Sequence, residues 1–108
     1  MSIFPKSFKR GCSSFVCLHL AINNEAKVRK QGSCVFEVLY PEEGRLEQKR
    51  RRIVRPITVA PRSEGHCYHF LKVSSDMPPG TYKVSGSFVC PEGQFTSQTF
   101  QKDFFRIE

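Results

Sequence analysis

Two Cys-x-His pairs are the residues of this sequence with the clearest potential for chemistry: Cys17-x-His19 and Cys67-x-His69. Each pair lies in a stretch that predicts a β-strand, and residues two apart on a strand point to the same side. Each pair is therefore a two-ligand unit, and two cysteines with two histidines can form a tetrahedral zinc site. The ligand spacing of zinc fingers and zinc ribbons is absent, so the alternative is two unrelated half-buried pairs.

A run of basic residues in the middle of the chain is the second candidate site. It comprises Arg45, Lys49, Arg50, Arg51, Arg52 and Arg55. On a strand, consecutive basic residues project to both faces, which favours an edge strand or a protruding hairpin. One interpretation is an electropositive ridge for an acidic protein, nucleic acid or anionic surface. The other is an edge strand whose charge discourages aggregation. The run has no interleaved aromatic residues, which disfavours specific binding of single-stranded nucleic acid.

The net charge of +7 is concentrated in the half of the chain that contains this run. Residues 1–62 carry thirteen Lys/Arg and five Asp/Glu, whereas residues 63–108 carry four and five. We therefore expect an acidic partner to meet the first half of the chain rather than the second.

Enzymatic signatures are missing. The sequence contains no nucleophile elbow, phosphate-binding P-loop, dinucleotide-binding glycine motif or H-E-x-x-H zinc motif. Glu42, Glu43 and Glu92 fall in predicted turns, where solvated charges are expected rather than an acid/base pair. We predict a protein that is not an enzyme and has no cofactor.

Length and composition indicate one domain spanning residues 1–108. A chain of 108 residues buries about two-thirds of its unfolded surface, enough for an independent core. No apolar run approaches the roughly 20 residues of a membrane span, and the N-terminus lacks the apolar region of a secretory signal. We expect a cytoplasmic protein.

The cysteine count supports the same compartment. An odd number cannot pair completely within one chain, and without a secretory signal it favours reduced thiols that pack as small hydrophobic residues. The five cysteines are Cys12, Cys17, Cys34, Cys67 and Cys90.

Alternating apolar residues and turn signals divide the chain into six or seven short strands. They are predicted at residues 15–22, 33–40, 46–59, 66–73, 82–90 and 95–107, with a further short strand or arm within residues 1–14. Pro56 lacks an N–H donor, so 46–59 is an edge strand or two short strands broken at Pro56. No segment keeps a helical period. The pattern predicts an all-β, single antiparallel sandwich, with a barrel as the alternative.

The clearest hairpin runs from Asp76 to Phe95, and its D-M-P-P-G-T-Y-K-V segment resembles the E–F corner of immunoglobulin-like and fibronectin type III-like sandwiches. The resemblance implies that Tyr82 is the corner tyrosine, whose hydroxyl bonds to nearby backbone. It also implies that the strands at 15–22 and 66–73 are neighbours. Both Cys-x-His pairs could then face one side of the sheet, with His66 on the other.

Two features of such domains are absent. There is no tryptophan for the core, and Val84 stands where the second cysteine of an antibody-type disulfide would follow Tyr82. That disulfide is therefore not implied. The superfold hosts many functions, so the resemblance implies architecture and no particular activity.

We predict an immunoglobulin-like sandwich of about seven strands that works as a non-enzymatic interaction or structural module, in a larger assembly. Its basic edge strand and end loops would bind a protein partner with an acidic surface. One alternative is a small β nucleic-acid-binding protein that uses residues 45–55. The other is a carbohydrate-binding sandwich, which exposed aromatic residues on one sheet would favour.

Overall fold

The computed structural model describes residues 1–9, 11, 13–41, 49–90 and 101–108. These ranges contain eight strands and no helix. The strands are β1 (Ser2–Phe4), β2 (Ser7–Phe8), β3 (Ser14–Asn24), β4 (Lys30–Leu39), β5 (Arg50–Val59), β6 (Ser63–Val73), β7 (Gly80–Val89) and β8 (Gln101–Ile107). Within these ranges, no helix is long and apolar enough to cross a membrane.

The strands form two sheets. Sheet A has three strands in the order β1-β3-β6, and sheet B has five in the order β2-β8-β7-β4-β5. Every pairing is antiparallel except that of β2 with β8, which makes sheet B mixed. The all-β prediction is confirmed, and two sheets are compatible with the predicted sandwich.

The hydrophobic core draws on both sheets because the strands alternate buried and exposed positions. In β3, the buried members are Val16, Leu18, Leu20 and Ile22, which alternate along the strand predicted at residues 15–22. Sheet B contributes large side chains from β4, β7 and β8 to the same cluster. Each such side chain contributes about 1.5–3 kcal/mol when it is fully buried.

Strand β5 shows how the proline in the basic segment is accommodated. The strand continues from Arg50 to Val59 through Pro56 and lies at the free edge of sheet B. The edge-strand alternative is therefore confirmed, and the strand is not broken at Pro56. The predicted beginning of this strand, between residues 46 and 48, lies outside the described residues.

Tyr82 is held at both ends of its side chain. Its hydroxyl donates a hydrogen bond to the Pro78 carbonyl at 2.6 Å, as the resemblance to the E–F corner implied. Its ring is fully buried and stacks on Phe105, with centroids 4.8 Å apart. Gly80, with φ of 137°, lies between the acceptor and the tyrosine and adopts a backbone conformation that other residues rarely take. The turn and the strand are thus joined by one side chain.

A disulfide joins Cys34 of β4 to Cys67 of β6 and links the two sheets through the core. The prediction of uniformly reduced thiols is therefore wrong for this pair. The count of cysteines cannot show which of them meet, whereas the fold brings two core-facing positions together. Cys17 and Cys90 are free thiols, and Cys12 lies outside the described residues.

Asn24 is a fully buried polar residue at the end of β3. Its Nδ2 donates to the carbonyl oxygens of Val28 (2.9 Å), Ala60 (3.1 Å) and Val59 (3.2 Å). Its Oδ1 accepts from the backbone N–H of Ala26 at 3.1 Å. The side-chain amide of Asn24 therefore links the β3–β4 loop to the β5–β6 turn. The chain passes from one sheet to the other at both of these places.

Candidate functional site

The predicted basic run lies on the free edge of sheet B. We define the basic edge as Lys49, Arg50, Arg51, Arg52 and Arg55, all of which are exposed. Arg45 lies outside the described residues. Alternate members point to opposite sides of the sheet, because Arg52 is opposite Glu37 whereas Arg51 is opposite the buried Val38. The edge therefore presents positive charge in two directions.

No residue of the basic edge forms an ion pair within the described parts of the chain. Lys6 forms an ion pair with Asp103, and His66 contacts the Glu64 carboxylate at 3.3 Å. Neither involves the basic edge. The Lys49 ammonium lies 5.0 Å from the centroid of the Tyr40 ring, a cation–π contact that leaves its charge in place. A carboxylate-bearing partner would meet closely spaced like charges and lower their mutual repulsion.

Arg55 of sheet B also contacts His69 of sheet A. Its Nη2 lies 3.1 Å from His69 Nδ1. Since a guanidinium only donates, Nδ1 accepts and the imidazole is neutral, with its proton on Nε2. That Nε2 is buried and has no hydrogen-bond partner among the described residues. Burial lowers the pKa of His69, and the neighbouring positive charges of Arg55 and Arg51 lower it further.

This depressed pKa predicts a pH-dependent stability. His69 has an ordinary pKa of 6.5 when unfolded and a lower one when folded, so the unfolded chain binds more protons between these values. The stability that depends on neutral His69 should be complete above pH 6.5, and the free energy of unfolding should decrease as the pH falls below that value. The substitution His69→Gln keeps an acceptor for Arg55 without a titrating group and should make this dependence shallower, while His19, whose pKa is also lowered, contributes the remainder in the same direction. Urea unfolding between about pH 7.5 and pH 5 measures it, and an unchanged slope in the variant would contradict it.

The structure does not assemble the predicted zinc site. Strands β3 and β6 are antiparallel neighbours, but Cys17 is opposite Phe70 and Leu20 is opposite Cys67. Opposite residues share a side, so Cys17 and His19 lie on the outer face of sheet A, whereas Cys67 and His69 point toward the core. Cys67 is also committed to the disulfide. The shared face predicted for Cys17, His19, Cys67 and His69 is wrong, and the described residues contain no group of three or more potential ligands that could hold a metal ion.

The outer face of sheet A instead carries exposed aromatic rings, which sequence reasoning did not identify. We define the aromatic face as Phe4, Phe15, Tyr68 and Phe70, whose exposed fractions range from 55% to 77%. The alternation of Tyr68 and Phe70 along β6 is visible in the sequence. It does not show which side of the strand faces the core, because a shift of one residue reverses the face of every side chain.

His19 and His66 lie beside the aromatic face and contact each other. His66 lies on the face opposite to Cys67 and His69, as expected, but it shares the face of His19, and its Nδ1 is 2.8 Å from His19 Nε2. The Tyr68 ring stacks on His19 with centroids 4.5 Å apart and planes 11° from parallel. Burial lowers the pKa of His19, and the nearby His66 and N-terminal amine lower it further. One face of the Tyr68 ring is thus covered by imidazole.

The outer face of sheet B contains a groove of about 430 Å³ next to the basic edge. Its lining includes Leu39, Phe104, Arg50, Lys83 and Glu37. The strand register places these residues in rows that cross the sheet. Sequence reasoning missed the groove because its members come from four strands whose register the sequence does not reveal.

Comparisons with known proteins add little to this geometry. No family model matches the chain, and no curated protein matches it. Among solved structures, the chain is similar to Spo0M, a sporulation control protein from Bacillus subtilis, with a TM-score of 0.48 and 14% identity. The match covers 98% of this chain and 46% of Spo0M, so the chain spans less than half of that protein.

Proposed function

We propose that this chain is an immunoglobulin-like sandwich that acts as a non-enzymatic interaction module for an acidic protein surface. The observation that carries the proposal is the basic edge, which is exposed on an edge strand and forms no ion pair within the described residues. The immunoglobulin-like assignment is supported by the strand order and by the hydrogen bond from Tyr82 to Pro78.

The mode of recognition follows from the composition of β5. Pro56 lacks an N–H donor, which limits how far a partner strand can add to this edge. Arginine side chains, in contrast, hold carboxylates through two parallel hydrogen bonds. We therefore propose side-chain recognition of aspartate and glutamate, with the end loops adding contacts. The partner belongs to a larger assembly in which this chain is a small subunit.

The two alternative functions have weaker support. For nucleic acid, Val54 and Pro56 occupy positions in β5 where base stacking would need aromatic rings. For carbohydrate, the aromatic face supplies the exposed rings, but three of its four rings are phenylalanine, which has no polar group to bond a sugar hydroxyl, and one face of the Tyr68 ring is covered by His19. The acidic partner is therefore the better-supported function.

A charge-reversal variant tests the proposal. We expect Arg50→Glu/Arg51→Glu/Arg52→Glu to weaken binding of a fluorescent glutamate-rich peptide by about 10- to 100-fold, since three surface charge contacts contribute about 0.5–1 kcal/mol each. Fluorescence anisotropy at low and physiological salt measures the affinity.

The matched control is Lys27→Glu/Arg29→Glu/Lys72→Glu. It makes the same change in net charge at exposed positions away from the basic edge. Equal loss in the two triple variants would mean that net charge alone drives binding and would refute the proposed site. A duplex DNA probe that binds more tightly than the peptide at physiological salt, with a steep salt dependence, would favour the nucleic-acid alternative.

A further inference from the structure

We infer that the groove on the outer face of sheet B receives an apolar side chain of the acidic partner. The ligand class is thus an extended acidic peptide segment that contains a leucine or an aromatic residue. This inference rests on the proposed function and specifies its ligand. Its support comes from the strand register, the lining of the groove and the charge around it.

The register builds the groove from two rows of outward-facing residues. In the first row, Leu39 of β4 is opposite Arg50 of β5 and Lys83 of β7, and Lys83 is opposite Phe104 of β8. The second row lies two residues away on each strand and contains Glu37, Ser85 and Lys102, with Arg52 at its end but outside the lining. Side chains from four adjacent strands therefore face the same space.

The floor of the groove is apolar and accessible. Phe104 is 48% exposed, and Leu39 is partly exposed beside Lys83. The volume of about 430 Å³ lies in the range of about 300–1,000 Å³ that is typical of ligand pockets. An exposed apolar floor of this kind gains free energy when an apolar side chain covers it.

Positive charge on the rim selects an acidic ligand. Arg50 and Lys83 flank Leu39 in the first row, and neither forms an ion pair with a described residue. Arg50 also belongs to the basic edge, and Arg52 of that edge is opposite Glu37 of the lining, so the groove and the proposed interaction surface adjoin. An acidic segment seated on the basic edge would bring its neighbouring side chains directly over Leu39.

The carboxylate of Glu37 favours a peptide over a nucleic acid as the ligand of the groove. It projects into the middle of the second row, between Arg52 and Ser85. An evenly charged phosphate chain would place a negative charge beside this carboxylate. A peptide can place an apolar residue there and its own carboxylates over Arg50 and Lys83. The alternation of charged and apolar surface in the groove therefore matches a peptide that contains both acidic and apolar residues.

The experiment uses two fluorescent peptides with the same number of glutamates. One carries leucine and phenylalanine between the glutamates, and the other carries serine at those positions. We expect the wild-type chain to bind the apolar peptide about 10-fold more tightly, because one partly buried side chain contributes about 1.4 kcal/mol. Phe104→Ser should abolish this preference while leaving the affinity for the serine peptide unchanged.

The matched control is Val54→Ser. Val54 lies on the same outer face, is similarly exposed (51%) and does not line the groove. This variant should keep the preference. Equal affinity of the wild-type chain for the two peptides, or a preference that survives Phe104→Ser, would overturn the inference. If either result is found, binding that is about 10- to 100-fold weaker on charge reversal at Arg50, Arg51 and Arg52 would still leave the proposed function standing.

Discussion

Replacing Cys34 and Cys67 together by alanine is expected to lower the free energy of unfolding by about 3–4 kcal/mol. The two cysteines are 33 residues apart, and releasing a closed loop of this length restores conformational entropy to the unfolded chain. The crosslink also joins β4 to β6, strands of different sheets that share no backbone hydrogen bonds. Urea unfolding of the variant and of the oxidised wild-type chain measures the difference.

Reduction of the wild-type chain separates the crosslink from the packing of the two side chains. Reduced and oxidised protein have the same residues, so a fall in stability on adding a reductant reports the disulfide alone. Cys17→Ala serves as the control, since Cys17 is a free thiol on the outer face of sheet A. If Cys34 and Cys67 react with an alkylating agent in unfolded but unreduced protein, the disulfide and the prediction are both refuted.

Asn24→Ala is expected to lower the free energy of unfolding by about 2–4 kcal/mol. The substitution leaves three carbonyl oxygens and one backbone N–H without the partner that Asn24 provides. Burial prevents full replacement by water, and each unsatisfied buried group costs about 1–3 kcal/mol. Thermal or urea unfolding measures this loss of stability, which should also lower the midpoint of the unfolding transition.

The neighbouring Asn23 offers a matched control. It is exposed, and its side chain contacts only Glu25, at 3.4 Å, among the contacts described. Asn23→Ala should change stability by less than about 0.5 kcal/mol. Asn24→Asp should be at least as harmful as Asn24→Ala, because a carboxylate would face three carbonyl oxygens. Equal stability of the Asn23 and Asn24 variants would show that the two loops hold together without the amide.

Local patterns in the sequence predicted the strands because alternation and turn residues act within a few positions. The alternation along β3 and the edge position of β5 followed from such patterns, and the bond made by Tyr82 followed from the resemblance to the E–F corner. The basic edge was found in the same way, since four of its residues are consecutive. These features depend on neighbours along the chain, which the sequence shows directly.

The missed features depend on which residues meet across strands. The register of β3 and β6 separates the two Cys-x-His pairs and places His19 beside His66. The pairing of Cys34 with Cys67 and the groove under Phe104 likewise depend on how distant strands align. A shift of one residue reverses the face of every side chain in a strand, so periodicity alone cannot determine these contacts.

The order of strands in sheet A has a consequence for the time the chain needs to fold. Strand β3 pairs along its whole length with β6, so Ser14 meets Val73. During synthesis at about 5–20 residues per second, β3 emerges seconds before its partner. The apolar side of β3 is not covered by β6 during that interval. Pairings between distant strands also form slowly, in milliseconds to seconds. The nascent chain is therefore most prone to aggregation before β6 has left the ribosome.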